Sequence, residues 1–305
     1  MNINDISSMM QNCTLCPRNC HADRLHGQVG YCGQTMTLTA ARAALHLWEE
    51  PCLSGSQGSG TVFFSGCNLR CVFCQNHNIA IGTAGHSISL ERLTDIFLEL
   101  EAKGAHNINL VTPTHFLPQI AYSLERAKTK GLSIPIVYNT GSYEKIDALR
   151  LLDGLIDIYL PDFKYYSSDL SLRYSHAADY FEIASAAISE MYRQIGTPVI
   201  DTSFGLMKRG IIVRHLLLPG QAKDSKKILR YLHSTYGDHI FVSIMNQYTP
   251  LSQVADIPEL NCIVTPEAYQ RIVSFAQQIG IEQGFIQEGE TSLESFIPEF
   301  DGEGL

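Results

Sequence analysis

TVFFSGCNLRCVFCQN, residues 61–76, is the stretch on which the fold turns. TVFFS (61–65) is a short β-branched and aromatic run that reads as a strand. It leads directly into Cys67, Cys71 and Cys74 at C-x3-C-x2-C spacing. Three thiolates in one loop can hold three irons of a [4Fe-4S] cube and leave the fourth without a protein ligand. An open iron is a place for chemistry, whereas a fully ligated cluster is suited mainly to moving electrons. The alternatives are a zinc site completed by Cys52 or His77, or buried free thiols. Zinc sites more often arrive as two C-x2-4-C knuckles than as one triplet behind a strand.

Downstream, short β-branched runs alternate with longer helical stretches. INLVT (108–112), IPIVYNT (134–140), LIDIYLPDF (155–163), IIVRHLLL (211–218), HIFVSIM (239–245) and IEQGFIQ (281–287) read as strands. Helices are predicted over 89–104, 115–130, 143–151, 169–195, 223–236 and 266–279. The first has Ser89 as N-cap, Leu93, Ile96, Phe97 and Leu100 on one face, and Gly104 as its stop. Such β-α alternation predicts an α/β fold, a full or partial (β/α) barrel with its chemistry at the C-terminal ends of the strands. A flat doubly wound sheet is the competitor. The expected organisation is a cysteine-rich, strand-poor leader over 1–60, a barrel over 61–290 and a tail over 291–305. PCLSGSQGSG (51–60) precedes a strand and is spaced G-x-x-G-x-G, so it is not the dinucleotide fingerprint.

The chain has 305 residues, 22 Lys plus Arg against 31 Asp plus Glu, and a net charge of −9. This acidity argues against a general nucleic-acid binder. No apolar run reaches membrane-span length, and MNINDISSMM (1–10) lacks the charge and apolar centre of a signal peptide, so a soluble cytoplasmic protein is expected. Eight of the nine cysteines lie in the first 74 residues. In a chain of this size that crowding is a metal signature before it is a disulfide signature. Cys13, Cys16, Cys20 and Cys32 follow C-x2-C-x3-C-x11-C in a segment too short for its own core. They suggest a second metal, zinc or Fe-S. Cys52 reads as a stray thiol and Cys262 as a small buried apolar residue.

C-x3-C-x2-C after the first strand, with Phe73 just before the third cysteine, resembles the radical S-adenosylmethionine (SAM) superfamily. EEPCLSGSQGSGTVFFSGCNLRCVFCQN (49–76), GAHNINLVTPTHF (104–116), IPIVYNTGSY (134–143), DIYLPDFKYY (157–166) and MKRGIIVRHLLLPG (207–220) together resemble the pyruvate formate-lyase activating enzyme-like subfamily. CTLCPRNC (13–20) and NQYTP (246–250) belong to the same pattern. The resemblance implies that SAM binds the open iron through its amino and carboxylate groups. One electron, from a low-potential donor such as flavodoxin or ferredoxin, then cleaves it to methionine and a 5′-deoxyadenosyl radical that abstracts hydrogen from a substrate. That substrate is a glycine of a partner enzyme, a small molecule or another protein residue; a non-catalytic Fe-S electron carrier is the reading from another class.

The resemblance also assigns cofactor-binding roles. Asp162 and Lys164, two apart in LPDFK and so on one side of an extended segment, would serve the SAM ribose and carboxylate; a solvated ion pair is the plain alternative. Arg214 and His215 face opposite ways, and the family pattern turns Arg214 inward as a carboxylate partner. Asn139, with Thr140, is a candidate hydrogen-bond donor, and Phe73 a cofactor-side aromatic. VTPTH (111–115) departs from the family: it has no carboxylate where many members carry one for the SAM amino group.

Overall fold

The alternating runs fold into a single mixed sheet covered by helices. The structure, a computed structural model, describes residues 2–287 and 298–305. Residues 288–290 of the expected barrel and 291–297 of the expected tail lie outside the described residues. The strands in chain order are β1 (Thr39–His46), β2 (Ser59–Phe64), β3 (His86–Ser87), β4 (Ile108–Val111), β5 (Ile136–Thr140), β6 (Ile158–Pro161), β7 (Val199–Asp201), β8 (Leu206–Leu216), β9 (Phe241–Met245) and β10 (Gly284–Ile286).

Neighbours run β10-β9-β8-β6-β5-β4-β2-β1-β3, and β7 forms an antiparallel hairpin with the start of β8. From β2 to β10 every step along that order is parallel and moves forward in sequence. A doubly wound sheet reverses its order at a switch point. This one does not, so the strands curl one way as an open, partial barrel. β2, β4, β5 and β6 are buried at every residue, as strands between a barrel interior and a helical layer must be.

Local signals place the helices well. Ser89 caps the helix Leu90–Ala102, its side chain accepting from Arg92 N–H, and Leu93, Ile96, Phe97 and Leu100 are all buried. The stretch predicted as one helix over 169–195 is two, Ser168–Ser175 and Tyr180–Ile195. Nothing local demands the break; His176 adopts a left-handed φ of 51°, and Arg18 of the leader bonds the carbonyls of Ser175 and His176. A tertiary contact overrides propensity here.

The leader also contributes β1, which the sequence reading passes over. TAARAALH is rich in alanine, a poor strand former, yet it pairs antiparallel with β2 in the register Ala43↔Val62 and Leu45↔Gly60. The C-terminal residues run along it, with Ala43 N–H bonded to Glu303 O (2.8 Å) and Gly302 N–H to Ala41 O (3.0 Å). Among the described residues no helix is long and apolar enough to cross a membrane.

Candidate active site

β2 ends at Phe64, and the chain turns through Ser65 and Gly66 into the cysteine loop. Gly66 has φ +89°, and a β-carbon there would lie 2.5 Å from Gln34 Cγ and 2.7 Å from Cys32 O. The loop can follow this path only with glycine. We expect Gly66→Ala to cost about 1–3 kcal/mol in a denaturant melt and to weaken metal retention by the loop; an unchanged midpoint would show that the turn tolerates a side chain.

Beyond the turn, Cys67, Cys71 and Cys74 line one wall of a cavity of about 490 Å³. Ser175 Oγ–H donates to Cys71 Sγ at 2.9 Å, which the break at His176 makes possible, and Leu69 N–H donates to Cys67 Sγ at 3.4 Å. Burial, together with the neighbouring Cys71, pushes the Cys67 thiol up and the Cys74 thiol up to about 12. Lys164 acts in the opposite direction on both. Any metal taken up by these thiols would have to displace their protons.

The opposite walls come from the strand ends. Asn139, Thr140, Asp162, Lys164 and Arg214 all line the same cavity. Asp162 receives Lys164 Nζ at 2.6 Å on one carboxylate oxygen and Arg214 Nε at 3.0 Å on the other. Burial opposes its charge, but Lys164 and Arg214 together prevail and hold it below the usual carboxylate range. Arg214 also donates to Asn139 Oδ1 (2.7 Å) and to Glu49 Oε2 (3.2 Å), and Asn109 donates to the other Glu49 oxygen (2.9 Å). His215 lies on the outer face, bonded to Phe163 O and Ser225 Oγ.

Among the described residues Phe73 is absent from the cavity lining, and its ring packs against Tyr165, Tyr174 and Tyr248 at 6.2–6.4 Å. It braces the cysteine loop from behind because its neighbours, Cys71 and Cys74, take the inward positions. Cys262 is exposed rather than buried, since ELNCIV forms a surface loop before the helix Pro266–Gln278. Cys52 is buried in an apolar cluster with Leu53, Val137 and Ile158. In the leader, Cys13 and Cys32 are buried, Cys16 is half-buried and Cys20 is exposed. Among the described residues no three His, Cys, Asp or Glu side chains are gathered closely enough to hold a single metal ion.

Sequence reasoning missed three acids. Glu49 and Glu50 line the cavity from the leader, and burial pushes both carboxyls up. Their adjacency in EEP was the only local signal. Glu144 sits just behind the VTPTH turn, where Thr112 holds a strained φ of +56°. One Glu144 oxygen accepts from Thr114 Oγ–H (2.6 Å), Thr140 Oγ–H and Tyr138 O–H (3.3 Å). Thr112, Thr114 and Thr140 in turn line the cavity. A buried carboxyl thus stands behind the turn, and among the described residues it does not itself line the cavity.

Burial raises the Glu144 carboxyl to about 7, the three hydroxyl donors only partly opposing it. A folded pKa above the unfolded one means that the native state holds the proton more tightly, so stability falls as pH rises from about 4.5 to 7. We expect the stability difference between wild type and Glu144→Gln to shift by roughly 3 kcal/mol against wild type between pH 4.5 and 8. Parallel denaturant melts at the two pH values measure it; a constant difference would mean that Glu144 titrates normally.

Residues 61–232 match the Radical SAM superfamily. An uncharacterised protein of Methanocaldococcus jannaschii is 27% identical over 285 residues, spanning 90% of this chain and 77% of its own. Methylornithine synthase (PylB) has a similar fold, with a TM-score of 0.54 at 14% identity over 99% of this chain and 77% of that one. The FeFe-hydrogenase maturase HydG from Carboxydothermus hydrogenoformans gives 0.50 at 15% identity, over 78% of this chain and 55% of the maturase. At these identities the solved structures speak to fold alone.

Proposed function

Because the chain belongs to the radical SAM superfamily, we propose that its cavity is the site of reductive SAM cleavage, with Cys67, Cys71 and Cys74 as the ligands of a [4Fe-4S] cluster. The observation that carries the reading is the sharing of one cavity by the three cysteines and by Asn139, Asp162, Lys164 and Arg214. The donor set fits a cube with one iron left free: among the described residues no fourth cysteine lines the cavity, and Cys52 packs elsewhere. When bound, the cluster and SAM supply one-electron C–S cleavage and a 5′-deoxyadenosyl radical that abstracts hydrogen.

The chain's own residues prepare that chemistry. The Ser175 hydroxyl and the Lys164 ammonium stabilise negative charge on the thiolates. Asp162, Lys164 and Arg214 offer a paired acid and bases to the ribose and carboxylate of a zwitterion, which exchanges for contacts these groups now make with one another. The Thr112–Pro113–Thr114 turn gives neutral acceptors to the ammonium. The buried cavity walls exclude water.

Among the described residues the sheet does not close on itself, which suits a substrate that enters laterally, and we take that substrate to be a glycine-bearing segment of a partner enzyme. Free thiols at all nine cysteines suit a reducing, cytoplasmic setting. A flavodoxin or ferredoxin is the electron source in this reading. Protein reconstituted anaerobically with iron and sulfide, then given SAM and dithionite, is expected to release 5′-deoxyadenosine. A reduced cluster that leaves SAM intact would refute the proposal.

A further inference from the structure

Residues 49 and 50 carry two adjacent acids into the cavity wall. The short helix Pro51–Ser54 fixes them there: Glu50 O accepts from Leu53 N–H (2.7 Å) and Ser54 N–H (3.0 Å), and Glu49 N–H donates to Ser54 Oγ (3.0 Å). Their side chains meet neighbouring strands. Glu49 bonds Arg214 of β8 (3.2 Å), and Glu50 meets the Ser243 hydroxyl of β9. Arg214 and Ser243 are register partners, flanked by Asp162 on one side and by Phe285 of β10 on the other. All four line the cavity. Glu50 therefore contacts a strand one step nearer than β8 to the β10 edge, whereas the cysteine loop follows β2 at the far side of the sheet order.

Charge in the cavity is uneven. Among the described residues the carboxyls of Glu49, Glu50 and Asp162 face the cations of Lys164 and Arg214. Burial, with Arg42 and Arg214, drives the His46 imidazole down to about 4, so it adds no further cation at neutral pH. Lys164 Nζ bonds Asp162 (2.6 Å), and the three nitrogens of Arg214 donate to Asp162, Glu49 and Asn139. Glu50 is the carboxyl left over. It is 8% exposed, and among the described residues its Oε2 has no hydrogen-bond partner and no cation forms an ion pair with it. Arg214 reaches it only through space. A buried carboxyl so placed is costly until a positive, hydrogen-bond-donating group comes to it.

We propose that Glu50 is the specificity-determining acid of this cavity and pairs with a lysine-type ammonium on the substrate. That the cation belongs to a substrate rests on the radical SAM reading; the cation site itself does not. In that reading Asp162, Lys164, Arg214 and the Thr112–Pro113–Thr114 turn serve SAM, and Glu50 has no part in holding it. β9 and β10 also present Met245, Phe285 and Ile286 to the cavity, an apolar lining suited to the aliphatic stem of lysine behind its charged head. Entry past the β10 edge brings such a side chain to the Glu50 side of the cavity. The glycine-bearing segment of the proposed substrate therefore carries a lysine next to its glycine. An acidic residue at that place would meet Glu50 with a like charge, and an apolar one would leave it unpaired.

Two capped dipeptides test the pairing on the full-length, anaerobically reconstituted protein. One is acetyl-Gly-Lys amide; the other replaces lysine by norleucine, which keeps the stem and lacks the ammonium. Equilibrium dialysis should give a dissociation constant lower for the lysine peptide by about tenfold or more. Glu50→Gln should bring the two peptides within about twofold of each other, and Glu50→Asp, which keeps the charge, should restore part of the preference. Equal binding of both peptides by wild type, or a preference that survives Glu50→Gln, would overturn the proposal.

Denaturant melts without peptide separate recognition from a structural role. Glu50 has no ion pair to lose, and glutamine can still accept from Ser243, so Glu50→Gln should melt at or above the wild-type midpoint. A lower midpoint would make Glu50 part of the scaffold and overturn the assignment. Saturating SAM should leave the lysine preference in place; its disappearance would assign Glu50 to SAM and overturn the proposal. A preference that persists in protein whose cluster spectrum ignores SAM would sink the radical SAM reading and leave the cation site standing.

Discussion

Cys71→Ala is expected to reduce 5′-deoxyadenosine release by more than about a thousandfold, equivalent to at least ~4 kcal/mol of barrier. The central cysteine of the triplet is 8% exposed and takes the Ser175 hydroxyl at 2.9 Å. Its loss leaves two thiolates for a cube that needs three from this loop. The metal-free variant should fold about as well as wild type, because the substitution removes one sulfur at a loop position and leaves the strands and helices around it untouched. Loss of iron with an unchanged apo-protein melt would therefore separate a ligand from a core residue. Cys262→Ala serves as the comparison: Cys262 is exposed, its thiol making only a long contact with Glu259 O at 3.6 Å, and release should persist. Turnover retained in Cys71→Ala would count directly against the cluster assignment.

The second large effect is expected at Arg214. From β8, this side chain holds together Asp162 at the end of β6, Glu49 of the leader and Asn139 of β5. Arg214→Met leaves two buried carboxylates short of a partner, a change that costs about 3–5 kcal/mol in comparable buried pairs. The pH dependence has a definite sign. Without the guanidinium the folded pKa values of these acids rise, so the native state binds more protons and the deficit grows as pH increases. Adding Glu49→Gln to Arg214→Met should recover part of the loss, and a double-mutant cycle from denaturant melts measures the coupling. Strict additivity would mean that the pair in the cavity wall is ornamental.

The cysteine loop behind the first strand of the series and the strand alternation were legible because each is encoded locally. Cys67, Cys71 and Cys74 lie within one loop, and each strand carries its own β-branched run. Arg214 could be separated from His215 by strand alternation, and the structure places the two on opposite faces. Open curling of the sheet was not fixed by periodicity, which is the same for a flat sheet; it became evident from the unreversed strand order.

What stayed hidden depends on contacts between distant residues. Glu49 meets Asn109 and Arg214 across sixty and 165 positions, and an acidic pair before a proline reads as a solvated loop. Glu144 meets Thr114 thirty positions away, so nothing within VTPTH announces the acid that packs behind it. β1 is alanine-rich and becomes a strand only by pairing with β2. Phe73 packs among Tyr165, Tyr174 and Tyr248, three rings far away in sequence that no local pattern announces.

EPR of the dithionite-reduced, reconstituted protein with and without SAM addresses the open iron most directly. The account requires a reduced-cube signal that changes on adding SAM and that is lost in Cys71→Ala. A spectrum indifferent to SAM in a variant lacking the leader cysteines, where only the triplet's cluster can contribute, would contradict it.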